Sequence, residues 1–187
     1  MRILGVMTMA MMTAASAGAG EAAQRMERTV TVCSGMGNDF AIPRAQSIAA
    51  GMFAGIGVLI DWKSERACPP DAIRIGFSQH TDRDFLPEAL AYAKPYEGVN
   101  IVVFYDRLQQ RGQPNRLPGL LAHVMAHEIT HILQGVHRHS ESGVMKAGWT
   151  TDDFNEMAFK PLPFTPLDVE LIHNGLDARE IHMAALR

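Results

Sequence analysis

The chain has 187 residues, with 17 lysines and arginines against 20 aspartates and glutamates and a formal net charge of −3. Near-balanced charge without a basic run argues against nucleic acid as a partner, and the length suits one modest core rather than a core joined to a large regulatory domain. Past the first residues no stretch of eighteen uncharged apolar residues occurs, which argues against an ordinary membrane-spanning helix or anchor.

The first element reads as a targeting segment. Arg2 precedes an apolar stretch from Ile3 to Ala15, rich in Met and Ala, and small-residue cleavage sites follow at Ala15-Ser16-Ala17 and Ala17-Gly18-Ala19. Residues 1–19 are therefore expected to be a signal peptide, residues 26–187 one domain, and the product secreted or periplasmic. An oxidising compartment makes Cys33 and Cys68 a plausible disulfide closing a loop of about 35 residues, with two separate thiols as the alternative.

Arg28 to Cys33 alternates as a first strand. Pro43 to about Gly57 has the pattern of a helix, and Val58 to Trp62 follows as a second strand. Ala72 to Phe77 is a third. The run Val99-Asn-Ile-Val-Val-Phe-Tyr105 is a fourth, by its β-branched and aromatic content. Whether it lies at an exposed edge or inside the sheet stays open on the run alone.

From Arg116 to Gly135 there is no breaker after Gly119, and Leu121, Val124, Met125, Ile129 and Ile132 recur at helical spacing. Gly135 is placed to stop this helix in a left-handed conformation. Within it lies His127-Glu128-Ile129-Thr130-His131. Side chains four apart share one helix face about 6 Å apart along the axis, so both imidazoles can converge on one ion with Glu128 beside it. Zinc held by neutral histidines with one position open makes a water acidic near neutral pH, and a nearby carboxylate takes its proton. That is the chemistry of metal-assisted amide hydrolysis. Three protein ligands are expected. His123 keeps the same spacing but lies about 12 Å from His131 along the axis, too far for bonds near 2 Å, and reads as a packing residue. His137 and His139 both remain as the third ligand.

Beyond the helix come a short helical stretch near Thr151 to Met157, a Pro-rich link from Pro161 to Pro166, and a terminal helix. Thr165-Pro166-Leu167-Asp168 supplies that helix with a cap, a first-turn proline and an acid.

The run His127-Glu-Ile-Thr-His131-Ile-Leu-Gln-Gly135-Val-His137-Arg-His139-Ser140-Glu-Ser-Gly143-Val-Met145 resembles the metzincins. In that clan of zinc peptidases the helix stops at a glycine, a third histidine comes from the turned chain beyond, and a methionine turn underlies the metal. Here the glycine falls one residue later than usual. His137 keeps the usual spacing from His127, whereas His139 is followed by Ser140 and a Gly-Val-Met run, as in many metzincins. The resemblance favours His139, with His137 as the alternative, and makes Met145 the turn methionine. Ala89-Leu-Ala-Tyr-Ala-Lys-Pro95 is similar to the Leu-Ala-x-Ala segment of matrix-metalloproteinase-like domains, which precedes the edge strand that pairs with substrate. It implies such an edge at Val99 to Tyr105.

The resemblance implies an α+β fold, a twisted mixed sheet backed by helices with an active-site helix and a small C-terminal helical subdomain. It further implies zinc on His127, His131 and His139, Glu128 as catalytic base, and a protein or peptide substrate. Two other readings accompany it. A gluzincin-type peptidase would take Glu156 as third ligand. An exported zinc-binding module would bind without turnover, but a closed structural site needs no adjacent base such as Glu128.

Overall fold

The computed structural model describes residues 28–35, 39–93, 99–111 and 113–185. The expected signal peptide, residues 1–19, lies outside them. Five strands, β1 (Arg28–Ser34), β2 (Val58–Ser64), β3 (Ile73–Ser78), β4 (Ala91–Ala93) and β5 (Asn100–Phe104), form one sheet in the order β2-β1-β3-β5-β4. β1 runs parallel to β2 and β3, and β3 parallel to β5, while β4 is antiparallel to β5. The helices are α1 (Ala41–Ala54), α2 (Tyr105–Arg111), α3 (Leu117–Gln134), α4 (Thr151–Glu156) and α5 (Pro166–Ala185). The fold is α+β with a mixed sheet backed by helices, as expected.

The expected edge at Val99 to Tyr105 is corrected. β5 is flanked by β3 and β4, so the edge on that side of the sheet is the short Ala91–Ala93 strand, with β2 at the opposite edge. Strand propensity in Ile101-Val-Val-Phe104 reports a fit to a pleated, buried surface, which an interior strand satisfies best. The strand also stops before Tyr105, which opens the unforeseen α2; its hydroxyl donates to Asp39 in front of α1.

Asp39 also accepts the backbone N–H of Ala41 at 2.8 Å, giving α1 a start that precedes Pro43. The helix gives way at Gly55, and Gly57, at φ +78°, turns the chain into β2. Ala45, Ala49 and Phe53 repeat at helical spacing and are fully buried. They meet the alternating sheet residues Val32, Ile73, Ile75, Ile101 and Val103, and from α3 Leu121, Met125 and Ile129, in one apolar core. Each Val, Leu, Ile, Met or Phe among them contributes roughly 1.5–3 kcal/mol on burial.

α5 packs across α3 and adds Ile172 and Leu176 to that core. Gly175 permits the approach, since a Cβ there would lie 1.7 Å from the Leu133 carbonyl oxygen. Arg28 ties β1 to the same helix through an ion pair with Asp177 and a 3.2 Å bond to the His173 carbonyl. Cys33 and Cys68 are joined in a disulfide, linking the end of β1 to the turn after β2.

Candidate metal centre

α3 is buried on nearly every side, polar residues included, and its His127 and His131 line a cleft. Gly135 ends it at φ +65°, its N–H donating to the His131 carbonyl at 3.0 Å, and the chain turns back toward the helix. The His127 and His131 Nε2 atoms lie 3.0 Å apart. Their Nδ1 atoms face backbone carbonyls, of Val144 at 2.9 Å and of Val136 at 3.3 Å. A carbonyl only accepts, so each Nδ1 carries the proton and each Nε2 presents a lone pair.

Two converging lone pairs at this distance repel unless a cation sits between them. The spacing is close to the edge, about 3.3 Å, of a tetrahedron with bonds near 2.05 Å. The donor set therefore fits a metal ion. The ligand atom of His139 joins them, with all three within 4.8 Å of one another, and these three histidines could hold a metal. Burial drives His127 down to about 4 and His131 to about 3, the latter with help from its histidine neighbours. His139 is lowered too, by burial first and then by His137 and Arg138. All three are thus neutral near pH 7, the form that metals bind.

Glu128 lines the same cleft and is nearly buried, which pushes its carboxyl up to about 8. An adjacent cation acts in the opposite sense, favouring the carboxylate. The cleft measures about 390 Å³. Its walls include the edge strand around Tyr92 and the segment from Lys146 to Trp149. That segment is held by α4, where Thr150 and Asp153 form a reciprocal cap and Asp153 pairs with Lys146. The Trp149 ring meets His127 edge-on at 5.8 Å.

The other residues singled out from the sequence fall into place around this centre. His137 and His139 are both exposed; His137 stacks on His131, with ring centroids 5.0 Å apart, while it is His139 that joins the cluster that could hold a metal. His123 spends both nitrogens on backbone: Nδ1–H donates to the Gly119 carbonyl at 2.7 Å and Nε2 accepts from the Leu162 N–H at 2.9 Å. Glu156 pairs with Lys160 at 3.0 Å and is not among the clustered ligands. Met145 is fully buried, and its carbonyl accepts from Ser140 at 2.8 Å. The turn before it depends on Gly143, at φ +76°, where a Cβ would come within 2.2 Å of the Pro163 carbonyl.

Two features were not read from the sequence. The Val144 carbonyl, within the Gly-Val-Met turn, orients His127. Asp168 reaches back to Arg138 and Ser140, on either side of His139, at 2.7 and 2.6 Å. Its capping signature was visible, but its second set of partners lies 28 and 30 positions away.

No protein-family model matches this sequence, and no curated protein does. Among solved structures it is similar to archaemetzincin from Methanopyrus kandleri, at 14% identity and a TM-score of 0.52, over 82% of this chain and 98% of that one. At that identity the likeness speaks for the fold alone, and the chain has an archaemetzincin-like, zincin-type α+β fold.

Proposed function

We propose that this chain is an exported zinc-dependent endopeptidase. The observation that carries the reading is the convergence of three neutral imidazoles on one point, with Glu128 lining the same cleft. The metzincin-like motif and the archaemetzincin-like fold support it. His127, His131 and His139 would hold the zinc. Bound zinc supplies Lewis-acid chemistry, polarising a carbonyl and making a water acidic near neutral pH.

Glu128 takes the proton of the attacking water on a carboxylate oxygen and delivers it to the departing amine nitrogen. Its burial limits exchange of that proton with bulk water. The Val144 and Val136 carbonyls keep the two helix imidazoles in the tautomer that leaves Nε2 free for the ion. β4 has a strand partner on one side only and lines the cleft, so an extended peptide can add beside it through main-chain hydrogen bonds. The signal-like residues 1–19 and the Cys33–Cys68 disulfide, a bond that persists in oxidising compartments, support export.

The test is zinc content and peptide cleavage for wild type and Glu128→Ala. Wild type should carry about one zinc per chain. The variant should keep it while activity falls by about 10²–10⁴-fold. Undiminished cleavage by the variant, or an active wild type without zinc, removes the reading. A wild type that binds zinc and cleaves nothing points instead to a binding module.

A further inference from the structure

Beside the cleft lies a second cavity of about 470 Å³, and Arg111 and Phe154 line both. Its floor is apolar, made by buried Leu120 and Met157, with Phe154 as a wall. Its polar lining is Arg111, Gln113 and Arg116, and among the described residues no carboxylate lines it.

One face of α3 joins this cavity to the histidines. At about 100° per residue, Val124, His127 and His131 share an arc of about 80° with Leu120 and Arg116, which caps the helix start. A continuous strip therefore runs from the converging imidazoles through Val124 and Leu120 to the guanidiniums. Leu120 is displaced from His127 by about 10 Å along the axis, the span of about three residues of extended peptide.

Among the described residues the guanidiniums are not spent on acids. Arg116 donates to the Asn155 side-chain oxygen at 3.3 Å and Arg111 to the Pro87 carbonyl at 3.5 Å, and neither forms an ion pair among the described residues. On α4, Glu156 is occupied by Lys160 and Asp153 by Lys146. Two unpaired guanidiniums over an apolar floor complement a side chain with a methylene stem and a carboxylate tip.

We infer that this cavity is a specificity pocket for an acidic residue of the peptide substrate, within about three residues of the scissile bond. The carboxylate lies against Arg111 and Arg116, and the stem against Leu120 and Met157. The inference rests on the peptidase reading of the adjacent cleft.

The experiment uses the zinc-loaded full chain and fluorogenic peptides carrying Glu, Gln or Lys in turn at each position flanking a scissile bond. Wild type should favour Glu over the isosteric Gln at one position by about tenfold in kcat/KM, and added salt should shrink the preference. Arg111→Gln with Arg116→Gln should abolish the difference, and Arg116→Glu should turn the preference toward Lys. Equal rates for Glu and Gln at every position, or a preference that survives in the double variant, overturns the pocket. Fluorescence anisotropy with the Glu128→Ala protein reads the same discrimination without turnover. Equal Kd values for labelled Glu and Gln peptides, or no binding of either, also overturns it. If Glu128→Ala cleaves like wild type while the Glu preference persists in binding, the peptidase mechanism fails and the pocket stands.

Discussion

Asp168 and Arg138 form a 2.7 Å ion pair in which the carboxylate is fully buried, and the pair ties the start of α5 to the loop that carries His139. The same oxygen accepts from Ser140 at 2.6 Å, so both chain neighbours of His139 are held. The other oxygen accepts from the Thr165 N–H and hydroxyl at 2.9 and 2.7 Å. Burial by itself would raise this carboxyl. The bonds from Ser140, Thr165 and Arg138 outweigh it and hold the group below its ordinary value.

Asp168→Ala should destabilise the protein by about 3–5 kcal/mol, because Arg138 is left without its partner. Loosening the loop should also weaken zinc binding by about 10–100-fold, as losses of ligand-supporting contacts do. Thermal unfolding and a competition titration against a chelator measure the two effects. Since the folded value is depressed, the stabilisation is present above the unfolded value of about 4 and is lost as pH falls through the folded one. The gap between wild type and Asp168→Asn should therefore close in acid.

His139→Ala should lose zinc, and His137→Ala should keep it. Removing one of three protein ligands costs far more affinity than removing a neighbouring ring. Elemental analysis after dialysis decides between them. Retention by the first variant and loss by the second would move the third ligand to His137.

The metal-free protein should be most stable between pH 6.5 and 8. His127 and His131 sit far below their ordinary 6.5, so the unfolded chain binds protons that the native state refuses, and stability falls as pH drops from 6.5 toward about 4. Glu128 is raised from 4.5 to about 8, so the native state holds a proton that the unfolded chain releases, and stability declines as pH rises toward 8. Between 4.5 and 6.5 these two histidines, joined by His123 and His139 whose values are also lowered, oppose one carboxyl, and the histidines prevail. Urea unfolding of chelator-stripped protein from pH 4 to 9 should show this maximum, and Glu128→Gln should remove the alkaline decline.

Gly175→Ala should cost about 3 kcal/mol, a typical penalty for overpacking against a surface that cannot give. The obstacle is the Leu133 backbone carbonyl rather than a flexible side-chain end, so α5 must shift away from α3. A lowered midpoint in thermal unfolding would show it. An unchanged midpoint would mean that α5 does not cross α3 this closely.

The sequence alone determined those features that arise within one element. The helical period from Leu121 to Ile132, the i, i+4 pair His127 and His131, and the left-handed stop at Gly135 were legible because each depends on residues within a few turns of one another. The exclusion of His123 followed from helix rise alone, and the cap of α5 from Thr165 to Asp168. Tertiary structure decided what depends on distant neighbours. It placed β5 inside the sheet and left the edge on that side to β4, because strand propensity says that a segment pairs but not with how many partners. It also brought His139 to the pair, because the loop's path is set by the buried Asp168, a residue remote in sequence whose capping role hid its second one. Local spacing governs which side chains share a helix face, but only the packed chain decides which loop atoms close around the point where they meet.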